Sequence, residues 1–207
     1  AIGTLVALGS APGLSGALAW LLERRFPGFR WLVATLVAAA GVVLLGASSG
    51  GSPAGALASG GIDPVGLLGS LGAGLSYAVY TLASKRLLQA GWAPSSTMGA
   101  VFGVAAVFGA VAMLTTDNSW LARPSGLAVA LWLGLATVTL AYLLFARGLR
   151  VLSAPTVSTV TLAEPLTASI LGVLVLGEQL SGTSWLGVAA IALGILVLIA
   201  RPRRQVA

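Results

Sequence analysis

The chain has 207 residues, of which 57% are hydrophobic and 8% charged, with a formal net charge of +6. A soluble domain carries about 25% charged residues, so this composition excludes an ordinary globular class and points to a bilayer. The absence of Cys and His excludes disulfides and thiol chemistry and removes the usual general base and metal ligand.

A hydrocarbon core of about 30 Å is crossed by about 20 apolar residues in a helix. In chain order the apolar stretches run over 1–22, 31–47, 64–84, 97–115, 126–146, 151–177 and 183–200. The predicted class is therefore all-α, a polytopic bundle of seven transmembrane helices. Arg24, Arg25 and Arg30 fall in the first gap, Lys85 and Arg86 in the third, Arg147 and Arg150 in the fifth, and Arg201, Arg203 and Arg204 in the tail. The other three gaps share one basic residue, Arg123. Short loops rich in Lys and Arg stay on the inner side. The alternation predicts a multi-pass protein of the plasma (inner) membrane with its C-terminus in the cytoplasm. The positive charge then sets orientation and touches anionic lipid. It forms no patch elsewhere that would hold nucleic acid.

Trp20, Trp31, Trp92, Trp120 and Trp185 lie near span ends, where indoles suit the headgroup region. Gly66, Ser70, Gly74 and Ala78 repeat at four-residue intervals, as do Gly99 and Gly103. Such faces permit close helix packing within the bundle, or a homodimer. The outward-facing segment 48–63 is rich in Gly and Ser and reads as a flexible linker.

Residues 11–45 and 164–198 repeat. Pro12 and Pro165, and Gly41 and Gly194, are each 153 residues apart; Trp31 and Trp185 are 154 apart, and Glu23 and Glu178 155. The loop inside the first copy is basic and the loop inside the second is not, so the copies are inverted. Inverted repeats are a transporter plan with the substrate site near the midplane. The expected organisation is 1–47 as the last two helices of a first repeat, 48–63 as the linker, 64–200 as a five-helix second repeat and 201–207 as a basic tail. Three further N-terminal helices are expected in a complete ten-helix protein.

The run from Ala141 to Ile199, with Ala154-Pro155, Glu164-Pro165, Gly177-Glu178 and Gly194, resembles the closing part of an EamA-type transporter of the drug/metabolite transporter superfamily. Leu75 to Leu88 resembles the first helix of that family's second repeat. The resemblance implies ten helices, both termini inside, and export of an amino acid, small metabolite or drug.

Of five acidic residues only Glu164 lies inside a span, 14 residues from Arg150 and 14 from Glu178. At about 1.5 Å per residue it sits roughly 21 Å from either end. An ionised carboxylate there costs at least about 2.5 kcal/mol unless it faces the interior, is paired or is protonated. Glu164 is the candidate for proton coupling or for contact with a substrate amine. Thr161 and Thr167 lie three residues to either side. Pro165 has no N–H, which is expected to leave the Thr161 carbonyl exposed. Tyr77, Tyr80 and Tyr142 are candidate hydroxyls lining a cavity. The competing expectation is that Glu164 caps a Pro-broken helix and never titrates. Gly13-Leu14-Ser15-Gly16 resembles a serine-protease string, but no His is present to activate Ser15, and it reads as packing. The linker lacks the GK[ST] of a phosphate-binding loop. No cofactor, metal or enzymatic activity is expected, and uphill transport would draw on an ion gradient or exchange. The rival expectation is a non-transporting membrane scaffold or partner subunit.

Overall fold

The structure is a computed structural model that describes residues 2–24, 26–48 and 64–200. The 48–63 linker beyond Ser48, Asp63, Arg25 and the basic tail lie outside the described residues. Helices run as α1 (Ile2–Glu23), α2 (Phe29–Ser48), α3 (Pro64–Gln89), α4 (Pro94–Met113), α5 (Pro124–Trp132), α6 (Ala141–Val151), α7 (Ala154–Val160), α8 (Ala163–Leu176) and α9 (Gly182–Ile199). Three of them open on a proline, whose fixed φ and missing N–H suit a first helical turn. A 3-10 turn, Ser119–Ala122, precedes α5, and a π-helical segment, Leu133–Leu140, joins α5 to α6. The described residues contain no strand.

Seven helical stretches are long and apolar enough to cross a membrane: 6–23, 29–47, 64–89, 94–113, 124–151, 154–176 and 182–199. They match the seven expected spans one for one. The chain forms two compact units, Ala1–Thr81 with Ala154–Ala207, and Leu82–Ser153.

In the first unit α2 and α9 pack antiparallel, since Arg30 meets Val197 at one end while Gly41 meets Gly187 towards the other. Small residues allow the approach. A Cβ at Gly41 would lie 2.6 Å from the Gly187 carbonyl oxygen and 2.7 Å from Ile191. A Cβ at Gly194 would lie 2.6 Å from the Ala34 carbonyl oxygen and 2.8 Å from the Ala38 Cβ. Adding 153 to 34, 38 and 41 gives 187, 191 and 194, so each contact is the other with its partners exchanged. The two helices of the sequence repeat therefore face each other across a local two-fold axis, running in opposite directions. Ala38, Val42, Leu162 and Ile191 form the core of this packing, all at most 1% exposed.

On α3, Gly74 sits close to α1, with a Cβ there 2.5 Å from the Ser10 hydroxyl and 3.1 Å from the Ala7 carbonyl oxygen. Ala78 is fully buried. Gly66 is exposed. Gly99 and Gly103 on α4 face open space, where a Cβ would meet nothing, so this pair does not form the close contact within the described bundle that its spacing suggests.

Trp31 departs from the expected headgroup position. It is 7% exposed, its ring lies over Gly16 of α1, and its indole N–H donates to the Pro155 carbonyl and the Thr159 hydroxyl, 3.1 Å each. The cause is local: Gly16 offers no Cβ, and the ring fills that space. Trp20, Trp92, Trp120 and Trp185 are about half exposed, as expected of interfacial residues, and Trp132 is 70% exposed.

Candidate functional site

The expected span 151–177 is not one helix. The chain turns at Thr161 and Leu162, between α7 and α8. Pro165 cannot donate to Thr161, and its ring crowds that carbonyl. The backbone tightens instead. Leu162 N–H donates to the Thr159 carbonyl at 3.1 Å, and Glu164 N–H to the Thr161 carbonyl at 2.9 Å. The expectation of an exposed Thr161 carbonyl is therefore corrected, because a three-residue turn supplies the donor that proline lacks. The turn directs Leu162 into the core, where it is 1% exposed, and leaves Glu164 exposed in the first turn of α8.

Among the described residues the Glu164 carboxylate makes no hydrogen bond and no ion pair. Its flanking threonines are engaged elsewhere. Thr161 donates its hydroxyl to the Ser158 carbonyl at 2.8 Å, and Thr167 donates to the Ala163 carbonyl at 2.8 Å. Tyr77 reaches this turn from α3, its hydroxyl donating to the Thr161 hydroxyl at 3.3 Å. Tyr80 stacks edge-on against Tyr77, with ring centroids 5.5 Å apart. Tyr77, Tyr80, Thr161, Glu164, Pro165 and Thr167 all belong to the first unit. Tyr142 belongs to the second, packed edge-on against Phe102 at 4.7 Å and beside Phe145 at 5.8 Å.

Below the turn lies a buried polar seam that sequence reasoning missed. Ser15 and Ser158 share a hydrogen bond at 2.8 Å, and Thr35 and Thr159 another at 2.8 Å. Thr159 also donates to the Pro155 carbonyl at 3.0 Å and accepts from Trp31. The seam joins α1, α2 and α7 by side chains in an apolar surrounding. Its signal was present as Ser158-Thr159-Val160-Thr161, a hydroxyl-rich run in an apolar span. Ser15 is buried in this seam beside buried Pro12, which agrees with the packing reading of the protease-like string.

The Gly177-Glu178 pair closes α8. Gly177 adopts φ +68, and both its N–H and that of Glu178 meet the Gly172 carbonyl. This left-handed cap suits glycine, which carries no Cβ penalty. The Glu178 carboxylate folds over Gly172, where a Cβ would collide with it.

Two basic residues read from the sequence as orientation signals also close helix ends. Arg30 donates to the Val197 carbonyl near the end of α9 through Nε at 3.0 Å and Nη2 at 2.8 Å. Lys85 donates to carbonyls at the end of α6. Cations there complement the negative end of the helix dipole. Outside the spans, Asp117 accepts from the Ser119 backbone N–H at 2.9 Å and from its hydroxyl at 3.1 Å. These bonds hold its carboxyl below the usual carboxylate value, the backbone contribution being the larger.

Among the described residues no group of His, Cys, Asp and Glu could hold a metal ion. The fold and its apolar helices define a multi-pass membrane protein. Residues 64–200 match the EamA-like transporter family, and the chain belongs to that family. It is 42% identical over 205 residues to YwfM, an uncharacterized transporter of Bacillus subtilis, covering 99% of this chain and 66% of that relative. The chain thus spans just under two thirds of the length of YwfM. A stretch of 76 residues, 37% of this chain, is 34% identical to 97% of YdzE, a permease-like protein of the same organism.

Proposed function

We propose that the complete protein is a secondary transporter. It moves a small metabolite, amino acid or drug by alternating access of two inverted halves, and Glu164 takes up and releases the coupling proton. One observation carries this reading: an unpaired carboxylate stands beside a helix break within an apolar span. Ionised residues at that depth cost at least about 2.5 kcal/mol and mark ion or substrate pathways. Broken helices are tolerated in membranes where they line a cavity or are buried in protein. The antiparallel, partner-exchanging contact of α2 and α9 supports inverted halves, within the organisation 1–47, 48–63 and 64–200. Tyr77 bonds the Thr161 hydroxyl at the same break, with Tyr80 packed on Tyr77, which supplies polar groups to this turn of the first unit. Export is the direction that the family resemblance favours. The distribution of basic residues between the loops favours a C-terminus in the cytoplasm and a plasma-membrane location.

The test is Glu164→Gln in the complete protein. The expected result is loss of pH-dependent transport, read as solutes enriched in the medium only when the wild type is expressed. Transport at wild-type rate with wild-type pH dependence would remove Glu164 from the mechanism.

A further inference from the structure

Lys85 and Arg86 are adjacent in sequence and carry the same charge, yet their surroundings differ. Arg86 is exposed. Lys85 is half-buried, and its ammonium donates to three backbone carbonyls: Leu149 at 2.7 Å, Arg150 at 3.1 Å and Leu152 at 2.8 Å. An ammonium has three N–H donors, so these contacts can occupy all of them. The acceptors belong to the last turn of α6 and the residue after it, where helical carbonyls run out of intrahelical donors. Leu152 leaves the helix in an extended conformation, φ −96 and ψ 157. The only acidic residue in the second unit is Asp117, in the segment after α4. Arg147 and Arg150 are exposed.

We propose that Lys85 is a strap: its ammonium fastens the end of α6 to α3, a role separate from its charge in orienting the chain. Geometry makes the strap specific to lysine. A tetrahedral ammonium can point three N–H groups at three converging carbonyls. A planar guanidinium on a longer stem presents its donors as a fork. The orientation role, by contrast, is indifferent between Lys and Arg and between positions 85 and 86.

The sequence makes the strap directly readable. Lys85 is the only lysine in the chain, and there is no cysteine. An acylating reagent needs a neutral amine turned outward, which a strapped ammonium does not offer. In the full-length protein in nanodiscs, with Arg86→Lys supplying a neighbouring amine for reference, Lys85 should be acylated roughly tenfold more slowly than the lysine placed at 86, read by peptide mass spectrometry. Equal rates would overturn the strap. A second measurement places a cysteine at Ala146, a fully buried α6 residue one turn before Leu149 and Arg150, and reads the peptide that carries it. Its alkylation should rise roughly tenfold with Lys85→Met and with Lys85→Arg, and stay unchanged with Arg86→Met. Alkylation in Lys85→Arg equal to that with Lys85 intact, or an equal rise with Lys85→Met and Arg86→Met, would reduce Lys85 to an orientation charge. Neither measurement depends on transport, so the strap stands or falls apart from the role proposed for Glu164.

Discussion

At the scale of single residues, surroundings decide what like side chains do. Glu164 and Asp117 are both exposed carboxylates, one within a span without a partner and one in a loop with two bonds to Ser119. Asp117 is bonded in its charged form, so its folded value lies below its unfolded one. The contribution to stability is present above the unfolded value and disappears as pH falls through the folded one. A proton titration followed by NMR should place Asp117 below an ordinary aspartate. Ser119→Ala should move it only part of the way back, because the larger contribution is the backbone N–H, which alanine keeps. Ser84 is a different case: its hydroxyl is fully buried with no hydrogen-bond partner among the described residues. Leaving such a group unpaired costs about 1–3 kcal/mol. Ser84→Ala is therefore expected to leave stability unchanged or raise it by about 1 kcal/mol, measured as the midpoint of thermal unfolding in detergent.

At the scale of elements, the polar seam and the break at Thr161 belong together. The seam pins α7 to α1 and α2 just before the chain turns. Thr159→Val would strip the Thr35 hydroxyl of its partner while Trp31 keeps the Pro155 carbonyl. The expected loss is about 1–3 kcal/mol. Combining it with Thr35→Val should cost less than the sum of the two, because the second change removes the orphaned group. Chemical unfolding of the three variants gives this comparison. Much of this scale was not legible in the sequence. Pro165 announced a fault in the helix, but the donor that replaces its missing N–H, Glu164's own backbone, emerges only from the path of the chain. Trp31 sits near a span end whether it faces lipid or core, and only the ring's place over Gly16 decides. Thr139 donating to the Gly134 carbonyl at 2.7 Å fits the wider π-helical turn, which no hydropathy pattern encodes.

At the scale of the whole molecule, the seven spans were legible because hydropathy is averaged over some 20 residues and survives local irregularity. The repeat was legible because glycine and proline occupy positions where backbone geometry leaves few substitutes. Its symmetry makes a quantitative forecast. Gly41 and Gly194 each bring a missing Cβ to 2.6 Å from a carbonyl oxygen of the facing helix. Gly41→Ala and Gly194→Ala should lower the unfolding temperature by similar amounts, and a change of both should exceed either, whereas Gly103→Ala, in open space, should not lower it. What stayed hidden at this scale is which charges orient the chain and which also close a helix, since Lys85 and Arg86 read alike.

A contact that returns to itself when its two helices are exchanged carries a further consequence. In this contact α2 and α9 present like surfaces to each other. Each displays small residues at matching places, and each is met by the other's. Complementarity here is self-complementarity: each helix meets in the other the small residues that it presents itself.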